Sequence, residues 1–226
     1  MNRITPALVR NLVLVVALAA ATGSARSEQE SGGGPGSWLS QYVGARTLGL
    51  GGSFVGAADD ASSVVWNPAG LSTLVPNELR FETARLFEDT SVSSFGFAVP
   101  GNRFPSFGIS VLTLRSADFE RTNELNDPLG TFHEGETAYL FTMARNINPR
   151  FALGVNAKFV RQTVEDFSAG GFGMDVGAVF DATPTLRVGA SILNLGGPSL
   201  KLRDTKETYP TEYRGGFALT TLHGRT

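Results

Sequence analysis

Residues 151–159, FALGVNAKF, decide the fold class, because their apolar side chains recur at every second position. Phe151, Leu153, Val155, Ala157 and Phe159 alternate with small or polar residues, as in a β-strand with one apolar and one mixed face. The alternation continues in residues 172–181 and 186–192. Turn residues precede the first segment at Asn148-Pro149 and separate the last two at Thr183-Pro184, which predicts consecutive strands joined by short turns.

Eight segments with this periodicity follow residue 77. Their approximate bounds are 79–87, 92–99, 107–115, 137–145, 151–159, 172–181, 186–192 and 213–222. Short turns contrast with long polar loops at 116–135 and 196–212, as in barrels whose turns face the periplasm and whose loops face outside. We therefore expect an all-β fold, an antiparallel transmembrane β-barrel over residues 77–226. A soluble periplasmic β-sandwich has the same alternation and is the alternative.

Composition narrows the functional classes. The chain has 226 residues, a formal net charge of -2, 27 Gly, 16 Phe and no Cys. Abundant glycine and phenylalanine suit closely packed strands. A slightly negative chain has no excess of positive charge to hold phosphates, so nucleic acid is not expected as a partner. The absence of cysteine excludes disulfides, thiolate zinc sites and cysteine nucleophiles.

The N-terminus has the pattern of a secretory signal peptide. Arg3 and Arg10 precede an apolar run over 12–21, and small residues lead to Ala25. Ten apolar residues rise only about 15 Å as a helix, about half of the hydrocarbon layer, so a spanning anchor is less favoured. We expect cleavage of residues 1–25, a flexible Gly-rich linker over 26–37, and an outer-membrane location in a Gram-negative-type cell.

Residues 38–76 have a different pattern, in which glycines are spaced among small apolar residues. Asp59-Asp60 precedes residues 61–66, which predicts a short helix with Asp60 as its N-cap. Pro68 disfavours helical geometry at Asn67, so the helix is expected to end there after about six residues.

Residues 44–71, GARTLGLGGSFVGAADDASSVVWNPAGL, resemble the N-terminal segment of FadL-like outer-membrane proteins. They are more closely similar to the PorV/PorQ branch, in the Gly-rich stretch, the Ala-Asp-Asp-Ala run (58–61) and the motif WNPAGL (66–71). Residues 186–197 and 210–216 also resemble late strands of that branch. The resemblance implies a fourteen-stranded barrel with residues 38–76 folded inward as a hatch. Because about eight strands are present, we expect the barrel to be incomplete at the C-terminus.

The resemblance also suggests the hatch residues. They are Gly51, Gly52, Asp59, Asp60, Trp66, Asn67, Pro68, Ala69 and Gly70. In the family, displacement of the segment around Asn-Pro-Ala opens a path for hydrophobic substrate. The other interpretation is local, because Asn-Pro is also a common helix stop and the Asp pair also a common cap.

Four polar residues of the strands are candidates to face the lumen of the barrel. They are Asn156, Lys158, Asp175 and Asp181. They would either tie the hatch to the wall or hydrate a polar lumen.

Enzymatic activity is not expected, since His133 lies in a long polar loop and His223 in the terminal tail. The glycines do not fit a dinucleotide motif, and the sequence has no metal-ligand spacing, so we expect no cofactor and no metal.

The expected function is an outer-membrane barrel that binds or transports hydrophobic small molecules, with outer-membrane lipid as a partner. An accessory barrel of a type IX-like protein secretion system, with secretion proteins as partners, is the alternative.

Overall fold

The computed structural model of the chain describes residues 34–86, 88–202 and 205–220. The predicted signal peptide and most of the predicted linker lie outside these ranges, as does His223. Residues 34–37, the described end of that linker, already belong to the packed structure, because Gly36 is buried against the ring of Tyr209.

An antiparallel sheet of eight strands dominates the described chain, in the order β1-β2-β3-β6-β7-β8-β9-β12. The strands are β1 (Glu78–Arg85), β2 (Ser91–Val99), β3 (Ser106–Arg115), β4 (Phe119–Thr122), β5 (Pro128–Phe132), β6 (Glu134–Asn148), β7 (Phe151–Val164), β8 (Phe167–Asp181), β9 (Leu186–Leu195), β10 (Ser199–Leu202), β11 (Thr205–Thr208) and β12 (Glu212–Leu219). Each of the eight predicted segments overlaps one strand of this sheet, so the all-β prediction with antiparallel strands is confirmed. Among the described strands, β1 and β12 form the two edges.

The connections differ in part from the prediction. The two long polar loops each contain a hairpin, β4–β5 and β10–β11. The connection between β7 and β8 lies at the same end of the sheet as these hairpins, yet it has only two residues, Glu165 and Asp166. Long and short connections therefore do not alternate throughout the sheet.

The helices within the described residues are short and precede the sheet. They are α1 (Trp38–Gln41), α2 (Ala45–Gly49), α3 (Ser63–Trp66) and a 3₁₀ helix (Pro68–Thr73). No helix in the described residues is long and apolar enough to cross a membrane.

The predicted N-cap of the short helix was wrong. Ser62 occupies the N-cap position of α3, which has four residues rather than six. The Asp60 carboxylate instead accepts hydrogen bonds from the N–H and hydroxyl of Ser62, ahead of the helix. An aspartate readily bonds the backbone two residues on, and the resulting turn delays the helix start.

The two faces of the eight-stranded sheet have different surroundings. The N-terminal segment, residues 34–76, packs against one face, which we call the covered face. Together they form the main buried core, in which Phe54, Val64 and Leu71 of the segment join Leu112 and Val160 of the sheet. The opposite face, which we call the outer face, carries exposed large apolar side chains.

Small residues of the sheet allow the segment to approach closely. A Cβ at Gly108 would lie 2.9 Å from a methyl of Leu71, and one at Gly154 would overlap the backbone of Pro68. Gly154 of β7 and Gly177 of β8 thus leave room for the segment on the covered face, whereas Gly171 and Gly173 of β8 leave room for Pro198 and Ser199.

Candidate functional site

Asn67 lies at the centre of the contact between the N-terminal segment and the sheet, and it is fully buried. Its Oδ1 accepts a hydrogen bond from Ala69 N–H (3.2 Å), which caps the 3₁₀ helix that begins at Pro68. Its Nδ2 donates to Val55 O (2.9 Å) and to Ala178 O of β8 (3.1 Å). Asn67 is thus both a local helix cap and a direct link from the segment to the sheet.

The neighbouring motif residues are packed just as tightly. Pro68, Ala69 and Gly70 are buried in the 3₁₀ helix, and a Cβ at Gly70 would lie 2.6 Å from Ala58. This part of the motif is therefore fixed by packing as well as by hydrogen bonds.

Trp66 anchors the segment against β9 and β12, at one edge of the sheet. Its Nε1 donates to Val43 O (3.2 Å), while its own carbonyl accepts from Ser191 Oγ of β9 (2.9 Å). The guanidinium of Arg214 lies 5.0 Å from the centre of the indole ring, a cation–π contact. Gly51 and Gly52 form a left-handed turn (φ 63° and 78°), which brings Gly52 beside the same ring.

Three of the four predicted lumen-facing residues form one buried cluster. Lys158 Nζ lies 2.9 Å from Asp175 Oδ1, and the two side chains are only 5% and 2% exposed. Asn156 Nδ2 donates to Asp175 Oδ2 (2.7 Å) and to Val64 O of the segment (3.2 Å). The cluster thus joins β7, β8 and the N-terminal segment.

Asn194 completes this cluster, although the sequence analysis did not select it. Its N–H donates to Asp175 Oδ1 (2.8 Å), its Oδ1 accepts from Lys158 Nζ (2.7 Å), and its Nδ2 donates to Pro210 O (2.9 Å). Asn194 has φ +57° at the register shift between β8 and β9. Asparagine tolerates this conformation better than most residues, which was the available signal.

Asp181 lies on the same face but apart from the cluster, six residues further along β8. It pairs with Arg187 Nε (2.7 Å) at the strand end, beside a surface cleft of about 260 Å³. The structure therefore separates Asp181 from the other three predicted residues.

Glu136 is a buried carboxylate that the sequence analysis missed. It accepts hydrogen bonds from Trp38 Nε1 of α1 and from the Tyr209 hydroxyl (3.1 Å). Burial and the adjacent carboxylate of Glu136 raise the pKa of Tyr209, so this phenol stays protonated. Glu136 shares the inward alternation of Ala138 and Leu140, and that position was the only signal in the sequence.

Charged residues join the segment to β1 at the sheet edge. Arg46 pairs with Asp59 and lies 3.1 Å from Asp60, which also binds Arg80 of β1 (3.1 Å). Glu82 of β1 accepts the N–H of Gly44 (3.0 Å) and of Ala45 (3.1 Å).

Asp60 titrates at lower pH than an ordinary aspartate. Burial alone raises its pKa, but hydrogen bonds from Ser62 and Arg46 and the charge of Arg80 outweigh burial and lower the pKa.

A pocket beside the contact between the N-terminal segment and the sheet is small. It has a volume of about 10 Å³ and is lined in part by Leu140, Lys158 and Asn194. That volume is enough for about one water molecule and not for an acyl chain.

Comparisons with known proteins yield no relative. No family model matches the chain, and no curated protein matches it. The resemblance of residues 44–71 to FadL-like proteins therefore rests on the motifs alone. Within the described part of the chain, no group of three His, Cys, Asp or Glu residues is arranged to hold a metal ion.

Proposed function

We propose that the chain forms the wall of an outer-membrane β-barrel, in which the N-terminal segment is a plug and hydrophobic small molecules are bound or passed. The observation that carries this proposal is the inverted polarity of the sheet. Buried polar side chains face the segment, whereas large apolar side chains face outward on seven of the eight strands.

The apolar residues of the outer face line up in continuous rows across neighbouring strands. One row runs Leu79, Phe97, Ile109, Phe141, Ala157 and Met174. A second runs Phe81, Phe95, Val111, Tyr139, Phe159 and Phe172. A third runs Val99, Phe107, Met143, Val155, Val176, Ile192 and Tyr213. Exposed apolar surface of this extent is unfavourable in water and favourable in lipid.

The height of the apolar band fits the hydrocarbon layer. On β6, polar Thr137 and Arg145 border the outward residues Tyr139, Phe141 and Met143. The eight residue-to-residue steps from Thr137 to Arg145, at about 3.4 Å each, span about 27 Å along the strand, or about 20 Å across a membrane at the usual tilt. The band of outer-membrane barrels is about 25 Å tall, and aromatic residues border it, as the second row does here.

The role of the plug follows from the tight contact with the covered face. Because Asn67 and Pro68 lie directly against Gly154 and Gly177 of the sheet, passage of a hydrophobic molecule between the segment and these strands requires movement of the segment. The hydrogen bonds of Asn67, Asn156 and Ser191 are those that hold the plug to the wall.

A second candidate function is that of an accessory barrel for protein secretion. The observation that favours it is the β4–β5 hairpin at the end with the long connections. Phe119, Leu125 and Leu129 are exposed there, and Leu125 is 82% exposed. Such side chains on a hairpin outside the apolar band suit contact with another protein.

A matched pair of substitutions on β6 tests the membrane location of the outer face. Phe141→Arg places a charge in the row that lies between the other two apolar rows, and it should lower the free energy of unfolding of the membrane-inserted protein by about 2–4 kcal/mol. Thr137→Arg, at the border of the apolar band, should lower it by about 0–1 kcal/mol. Urea unfolding of the full chain in lipid vesicles measures both. Equal effects, or extraction of the wild type from envelopes by salt without detergent, would favour the periplasmic sandwich.

Uptake of a fluorescent long-chain fatty acid by cells with and without the gene tests the transport function. Slower uptake in the deletion strain, restored by the intact gene, is the expected result. Unchanged uptake together with co-purification of secretion proteins would support the second candidate instead.

A further inference from the structure

Three arginines project from the outer face just beyond the second, aromatic-rich row. Arg85 of β1 and Arg115 of β3 lie in one cross-strand row, with Ser91 of β2 between them. Arg161 of β7 lies opposite Thr137, in the row that separates the row of Arg85 and Arg115 from the aromatic-rich row. We call these three residues the arginine belt. All three are exposed.

The belt residues have no ionic partner within residues 34–86, 88–202 and 205–220. Among the described residues, none of the three guanidinium groups makes a salt bridge or a side-chain hydrogen bond. The other members of the two rows are hydroxyl residues and glycines, with no carboxylate: Thr83, Ser91, Ser93, Thr113, Gly135, Thr137, Thr163, Ser168 and Gly170. Acidic residues of this end, such as Glu88 and Asp166, lie in the connections beyond the strands. The two rows of the belt thus contain arginines and no carboxylate.

The spacing of the belt suits a ligand that bears phosphate. Neighbouring strands are about 4.8 Å apart, so Arg85 and Arg115 are about 10 Å apart at their Cα atoms, and Arg115 and Arg161 about 12 Å. Arginine side chains two strands apart are long enough to reach one phosphate from both sides, and arginine binds phosphate with two parallel hydrogen bonds. Thr83 lies in the neighbouring row, accepts a hydrogen bond from Ser93 Oγ (3.2 Å) and keeps its own hydroxyl proton to donate.

The apolar border of the belt indicates what else the ligand carries. Phe81, Phe95 and Tyr139 lie in the adjacent row, where acyl chains would contact the sheet. The opposite border of the apolar band differs, because the row that follows it contains one arginine, Arg145, beside Leu153, Ala178, Ala190 and Gly215. The first border therefore has three arginines in two neighbouring rows, whereas the row that follows the opposite border has one.

We propose that the arginine belt binds the phosphate of anionic lipid headgroups in the leaflet at the end with the long connections. This inference rests on the proposed function, because it requires the outer face to lie in lipid. The positive charge of the belt offsets the negative phosphates, and the rows below it accept the acyl chains.

Lipid retention by the full chain tests the proposal. The protein is assembled into nanodiscs of equal parts phosphatidylglycerol and phosphatidylcholine, released, and the lipids that stay bound are counted by native mass spectrometry. The test variant carries Arg85→Gln, Arg115→Gln and Arg161→Gln. The control carries Arg103→Gln, Arg145→Gln and Arg150→Gln, which remove the same charge at the opposite end of the sheet.

Wild type and control are expected to retain phosphatidylglycerol in preference to phosphatidylcholine, and the test variant to lose roughly tenfold or more of that preference. Equal loss in both triple variants, or no preference in the wild type, would overturn the proposal. Displacement of the lipid by millimolar inorganic phosphate would also overturn it, by indicating a site for free anions. Failure of all three proteins to enter nanodiscs would instead refute the membrane location itself.

Discussion

Replacing Lys158 with methionine removes the cation from a buried ion pair with Asp175. Breaking such a pair costs about 3–5 kcal/mol, because the remaining charge stays buried. Asp175 keeps two neutral donors, Asn156 Nδ2 at 2.7 Å and Asn194 N–H at 2.8 Å. We therefore expect Lys158→Met to lower the free energy of unfolding by about 3 kcal/mol, the lower end of that range.

Replacing Asp175 with leucine should cost more than this. Lys158 then keeps only Asn194 Oδ1 as an acceptor, and the N–H of Asn194 loses its partner. We expect a loss of about 5 kcal/mol, the upper end of the range. The double variant Lys158→Met/Asp175→Leu contains no buried charge, so its loss should be only about 1–2 kcal/mol, the cost of the unpaired amide donors.

Urea unfolding of the full chain in vesicles measures the four proteins, with Lys201→Met on exposed β10 as the control. The decisive comparison is between Asp175→Leu and the double variant, in which the second substitution should restore about 3 kcal/mol. If Asp175→Leu does not fold and the double variant does, the reasoning is also supported. A double variant as unstable as the sum of the single ones would refute it.

Three further predictions concern the contact between the segment and the sheet. Gly177→Ala places a methyl against Asn67 Oδ1, so it should increase protease cleavage within residues 34–76. The control is Gly215→Ala, whose added Cβ meets open space and which should increase cleavage less. Equal cleavage of the two variants would contradict the contact between Gly177 and Asn67. Trp38→Phe removes a hydrogen bond to Glu136 and should lower the free energy of unfolding, measured in urea, by about 1–3 kcal/mol. A change below roughly 0.5 kcal/mol would argue against that hydrogen bond. The lowered pKa of Asp60 means that its contribution to stability is complete above the unfolded pKa of about 3.9 and is lost as the pH falls through the folded value. The difference in unfolding midpoint between wild type and Asp60→Asn should therefore stay constant above about pH 3.9 and narrow below it, and a gap that widens toward low pH would contradict this sign.

The fold could be predicted from the sequence to the extent that hydrophobic alternation persists. The predicted segment 137–145 is nearly the part of β6 whose outward residues are apolar, whereas β6 itself runs from Glu134 to Asn148. At the N-terminal end, Glu134, Gly135 and Glu136 include no apolar residue, so the period of two leaves no trace there. At the C-terminal end, the pairing register shifts between Asn146 and Asn148. Strand existence and orientation were therefore predictable, and strand length was not.

In the candidate site, too, some residues could be predicted from local periodicity and others could not. Asn156 and Asp175 share the inward alternation and face each other in the β7–β8 register, so local periodicity was enough to predict them. Glu136 meets Trp38 and Tyr209, which are 98 and 73 residues away along the chain. No local pattern reports a contact at that separation, and only the folded structure brings the three together.

The distribution of contacts along the plug indicates where opening would begin under the proposed function. Asn67 and Pro68 are the least able to move, because the glycines of β7 and β8 hold them against the sheet and their polar groups are bonded. Leu48 and Leu50, by contrast, are 43% and 47% exposed, and Gly49 and Gly51 touch nothing within 4 Å of an added Cβ. Displacing residues 45–53 breaks surface ion pairs of Arg46, which contribute little each, together with the hydrogen bond from Ala45 N–H to Glu82, and it exposes the buried Thr47. A path for a hydrophobic molecule would therefore open first beside α2, with the Asn-Pro-Ala motif as the fixed point about which the segment turns.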